Sequence, residues 1–113
     1  MKNGSLTPEM AAALQKITTQ KAVVQKLRQE MEDRQKDIAR IVDDQGRLRE
    51  NMKALRGSAE EKALQQRYTK QLDDQETQLA ALRKKIQDAE VQRDAAQTQL
   101  ETMIDELQLE ASF

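Results

Sequence analysis

From Met10 onward the apolar residues return in alternating steps of three and four: Met10, Ala13, Ile17, Gln20, Val24, Leu27, Met31, Arg34, Ile38, Ile41, Gln45, Leu48, Met52 and Leu55. Eleven of these 14 positions are apolar, and six heptads without a break predict a coiled-coil seam along one face of a long helix. A second series follows with the same spacing: Tyr68, Leu72, Gln75, Leu79, Leu82, Ile86, Ala89, Arg93, Ala96, Leu100, Met103 and Leu107. Leu64 precedes it by four, so Leu64, Tyr68 and Leu72 make two consecutive steps of four and shift the stripe near the midpoint. The apolar members of the two series other than alanine, 18 residues from Met10 to Leu55 and from Tyr68 to Leu107, are the candidate association residues.

Between the series lies "LRGSAEEKAL", residues 55 to 64. Gly57 can take the left-handed conformation that ends a helix, with Arg56 at the negative helix end. Ser58 followed by Glu61 is a capping box, which starts a new helix. A stop set directly against a start predicts two helices that fold back as antiparallel neighbours. At the other end, "LTPEM" reads as a helix start, with Thr7 as cap, Pro8 at the first helical position and Glu9 at the positive helix end. Gly46 lies inside the first series and costs ~1 kcal/mol relative to Ala, which a long helix tolerates. The expected organisation is a lead-in at 1–6, helix 1 at 7–56, a tight turn at 57–58, helix 2 at 59–108 and a tail at 109–113. The fold class is all-α: a long antiparallel two-helix coiled-coil hairpin that dimerises into a four-helix bundle.

Composition agrees. Ala, Glu, Lys, Leu and Arg make up 56 of the 113 residues, the make-up of long helices and coiled coils. One Phe, one Tyr and no Trp leave little for a thick core. Lys and Arg number 19 and Asp and Glu 20, spread along the chain, which argues against a clamp on nucleic acid. With no Cys and no His, disulfides, zinc fingers, thiol nucleophiles and histidine acid/base chemistry are excluded. No apolar run approaches the ~18 residues of a membrane span.

Acidic pairs are the nearest thing to a chemical site: Asp43 with Asp44, and Asp73 with Asp74. Adjacent helix residues diverge by about 100°, so neither pair aims both carboxylates at one ion, and a solvated face accounts for them. No metal, cofactor, small-molecule substrate or catalytic residue is expected, and the chain reads as a non-enzyme. Extra apolar residues, Leu6, Leu14, Val23, Ile104, Leu109 and Phe113, gather where the two termini meet. Arg34, Gln45, Gln75 and Arg93 interrupt the seam, weakening it while limiting the registers it accepts. The terminal end is therefore expected to dock, onto a second copy or onto a host domain of the same protein.

The segment "IVDDQGRLRENMKALRGSAEEKALQQRYTKQLDDQETQLAALRKKI", residues 41 to 86, resembles the helical hairpin of bacterial mucoidy-inhibitor-like proteins, a family built around a domain of unknown function. The likeness rests on a "DQxRLRxN" segment at Asp44 to Asn51, Gly57 at the tip, and "RYxxxLxxQExxLxxLRxxI" at Arg67 to Ile86. "LTPEMAAAL" is similar to the segment that leads into that hairpin. The resemblance implies a coiled-coil appendage beside β-rich domains of a longer chain, exported or periplasmic, with no catalytic residue to carry over; spacing or self-association is the role that the stripes themselves suggest. Two other roles stay open on the residues alone. One is an arm whose tip grips a client through Arg56, Lys62 or Tyr68, as hairpins of secretion adaptors do. The other is an RNA-binding arm like the N-terminal hairpin of seryl-tRNA synthetase, which the balanced charge disfavours.

Overall fold

A computed structural model describes residues 6–112 of the chain. Within them lie two helices, α1 (Pro8–Lys53, 46 residues) and α2 (Ala59–Ser112, 54 residues), and no strand. The molecule is an all-α helical hairpin. Apart from Leu6, the expected lead-in falls outside the described residues, as does Phe113.

Each helix boundary has a local cause. At the start of α1 the Thr7 hydroxyl accepts the Met10 N–H at 3.0 Å, and the Thr7 carbonyl accepts the Ala11 N–H at 2.9 Å. Pro8 fills the first helical position, where no donor is needed. At the other end α1 stops at Lys53, three residues before the expected end at 56. Ala54 and Leu55 bond back to Asn51 and Met52 in tightened three-residue turns. The next donor, the Arg56 N–H, is taken at 2.8 Å by the Glu61 carboxylate rather than by a helix carbonyl. Gly57 then turns the chain with φ of 92°, a region that L side chains rarely enter. Leu55 therefore lies in the connection, yet it is still half-buried.

Ser58 and Glu61 form the capping box reciprocally. The Ser58 hydroxyl accepts the Glu61 N–H at 3.1 Å, and the Glu61 carboxylate accepts the Ser58 N–H at 3.0 Å. One carboxylate thus holds the backbone on both sides of Gly57. The bonds from Ser58 first and Arg56 second hold Glu61 below the ordinary carboxyl range. At its far end α2 continues to Ser112 where a tail from 109 is expected. "LQLEAS" contains good helix formers and no breaker, so the helix outlasts the stripe that ended at Leu107.

The described residues divide into two compact units, each containing a stretch of both helices: a tip unit, residues 31–87, and a terminal unit, residues 6–30 with 88–112. In the tip unit, residues 44 and 45 bond to 75 and 76, and 37–41 share a groove with 78–85, so the helices run antiparallel. Leu48 and Leu79 are its most deeply buried side chains, at 0% and 2% exposure. In the terminal unit Ile17 and Val24 of α1 pack with Ala96 and Leu100 of α2, flanked by Leu27, Met103, Ile104 and Leu107. Here α2 presents alanines, and the small side chain of Ala96 lets Gln20 reach across. Its Nε2 donates to the Ala96 carbonyl at 2.9 Å and to Gln99 Oε1 at 3.3 Å, satisfying an amide in the stripe.

Gly46 sits within α1, exposed, with nothing within 4 Å of the place a Cβ would occupy. Gly46→Ala is therefore expected to raise stability by about 1 kcal/mol, read as a higher urea midpoint. A lower midpoint would show that α1 needs the freedom of a glycine there.

Candidate interaction surface

All 18 apolar stripe residues turn inward. Ile17, Val24, Leu48, Leu79 and Leu100 are buried, and the other thirteen are half-buried. Tyr68 is among the thirteen, so it belongs to the stripe, whereas Arg56 and Lys62 stand exposed beside the connection. Burial in a pair of helices is incomplete by geometry, because each helix covers one side of the other and leaves the shoulders of its stripe open.

The polar interruptions divide into two kinds. Arg34 and Arg93 are half-buried, and their long stems let the guanidinium reach an acid on its own helix: Asp37 at 3.0 Å and Asp94 at 2.9 Å. Gln45 and Gln75 instead bond across the tip unit. Gln45, only 3% exposed, donates its Nε2 to Glu76 at 3.1 Å. Gln75 donates to Asp44 at 2.6 Å. Asp44 also accepts from Arg47 at 2.9 Å; the Arg47 bond first, then the Gln75 bond, holds its carboxyl below the ordinary range. The Gln75 Oε1 is buried without a hydrogen-bond partner, so this layer has an energetic cost as well as four engaged side chains.

The acidic pairs do not converge. Asp44 is engaged with Arg47 and Gln75, while Asp74 accepts from Lys70 at 3.2 Å on its own helix. Among the described residues no group of three or more His, Cys, Asp or Glu is arranged to hold a metal ion, and no helix is long and apolar enough to cross a membrane.

Two grooves between α1 and α2 remain. That of the tip unit is floored by Ile41 and Leu82, with Ala81, Gln78, Asp37, Arg40 and Lys85 around it. Asp37 is bracketed by Arg34 and by Arg40, the latter at 2.8 Å, so positive charge dominates the rim. That of the terminal unit is floored by Ala13, Met103 and Leu107, with Ala12, Glu9, Lys16, Glu106 and Glu110 around it. Of the apolar residues expected to gather at the termini, Leu6, Leu14, Val23 and Leu109 are 39–61% exposed, and Ile104 packs against the terminal core. Val42 and Val91 are also exposed.

Sequence periodicity did not reveal Glu76 as the partner of Gln45, nor the grooves. The available signal was the polar interruption in both stripes, since a buried amide in one helix requires a polar partner in the other. Compared with protein-family models, with curated proteins and with solved structures, the chain has no match in any of the three.

Proposed function

We propose that this chain is a non-catalytic association module, a coiled-coil hairpin through which a larger protein spaces itself or pairs with a second copy. The observation that carries the reading is the incomplete closure of the two stripes. Thirteen of the 18 apolar stripe positions are only half-buried and still contact solvent. A compact globular chain of this mass exposes roughly 6,300 Å²; this one, at 13.0 kDa, exposes 8459 Å². The difference exceeds the ~800 Å² that each partner loses in an interface of standard size. A partner that covers the shoulders of the stripes converts a two-helix seam into a bundle core, which is how helical pairs of this kind gain stability.

The resemblance to the hairpin of mucoidy-inhibitor-like proteins adds a setting: an appendage of a longer bacterial chain. Nothing in that setting asks the hairpin for chemistry. Sedimentation velocity at tens of micromolar tests the reading. A species of twice 13.0 kDa is expected, and a single monomeric boundary across the concentration range would overturn self-association.

A further inference from the structure

The two grooves share a build and differ in charge. Each has an apolar floor shared by both helices, Ile41 with Leu82 in the tip unit and Ala13 with Met103 and Leu107 in the terminal unit. The tip rim carries two bases, Arg40 and Lys85, against one acid, and that acid is already bonded to Arg34 and Arg40. The terminal rim carries three acids, Glu9, Glu106 and Glu110, against the single base Lys16. An apolar strip edged by surplus positive charge is complementary to an apolar strip edged by surplus negative charge.

We propose that the tip groove of one copy seats the terminal groove of a second copy. The inference rests on the self-association reading and names its surface. Each chain carries both halves, so a second copy supplies the complement of either groove. Floor meets floor, Ile41 and Leu82 against Met103 and Leu107 of the second copy. Arg40 and Lys85 lie against its Glu106 and Glu110.

The test uses two full-length variants with opposite charge changes at exposed positions. Arg40→Glu with Lys85→Glu makes both grooves acidic; Glu106→Lys with Glu110→Lys makes both basic. All four side chains are exposed, so far-UV circular dichroism should match the parent, and Lys85→Glu alone gives a gentler change in the same direction. Each variant alone is expected to sediment as a monomer, with dimer affinity reduced roughly tenfold or more. An equimolar mixture should recover the dimer, because every contact then joins an acidic groove to a basic one. Variants that dimerise like the parent overturn the groove assignment and leave self-association standing. A mixture that stays monomeric overturns the assignment too. A parent chain that is itself monomeric overturns both readings.

Discussion

Leu79→Asp is expected to abolish cooperative unfolding of the tip unit and to remove much of its helical signal at 25 °C. Leu79 is 2% exposed, one of the two most deeply buried side chains of the tip unit. Truncation of a buried leucine to alanine typically costs about 2–5 kcal/mol through lost burial and the cavity left behind. A carboxylate adds the cost of removing a charge from water. Since a small domain holds only about 5–15 kcal/mol in reserve, the sum consumes most or all of it. Leu79→Ala should weaken the fold within the range quoted for truncation, and Val42→Asp, at a position 45% exposed, should change stability by about 0.5 kcal/mol or less. Thermal melts followed at 222 nm separate these outcomes. Full helicity with a sharp melt in Leu79→Asp would mean that the stripe does not hold the hairpin closed.

Gly57→Val is expected to destabilise the chain by about 2 kcal/mol or more, purely through the backbone. A left-handed conformation costs an ordinary L residue roughly 1–2 kcal/mol, and a β-branched one is less compatible still. At φ of 92° with nothing within 4 Å of the Cβ position, no collision contributes, so size is not what matters. Gly57→Asn should accordingly lose less than Gly57→Val although asparagine has more side-chain heavy atoms, because its side chain tolerates positive φ. Urea titrations read this as a lower midpoint at unchanged slope. Equal losses for valine and asparagine would point to contacts rather than conformation, and no loss would mean that the connection is free to choose another path.

These two sites also show what could be read from the chain and what could not. The stripes were legible because helical periodicity depends on residue type alone: every stripe position from Met10 to Leu55 and from Tyr68 to Leu107 is buried or half-buried, including the polar Gln20, Arg34, Gln45, Gln75 and Arg93. The reversal was legible for the same reason, Gly57, Ser58 and Glu61 being local signals. The end of α1 was placed three residues late because the capping box explains only one of the two backbone bonds that the Glu61 carboxylate accepts. Its second backbone partner, the Arg56 N–H, belongs to the preceding segment. The continuation of α2 past Leu107 was missed because a stripe ends before propensity does. The pairing of Gln45 with Glu76 and the charge of the two grooves depend on which residues share a height across the hairpin. Repeats of seven leave that height open, since a seam reads nearly alike after each heptad.

That near-degeneracy gives the polar layer its consequence. Two arms of similar composition invite sliding, one past the other, in steps of a heptad. A step in either direction sets Gln45 against Thr69 or Arg83 in place of Glu76, and sets Asp44 against Tyr68 or Leu82 in place of Gln75. The first exchange replaces a carboxylate acceptor by a hydroxyl or a guanidinium, and the second presses a carboxylate onto an apolar wall. The layer therefore acts as a detent: it adds little to the depth of the well but steepens its sides, so that a pull along the arms meets resistance before the stripes can re-engage one notch away.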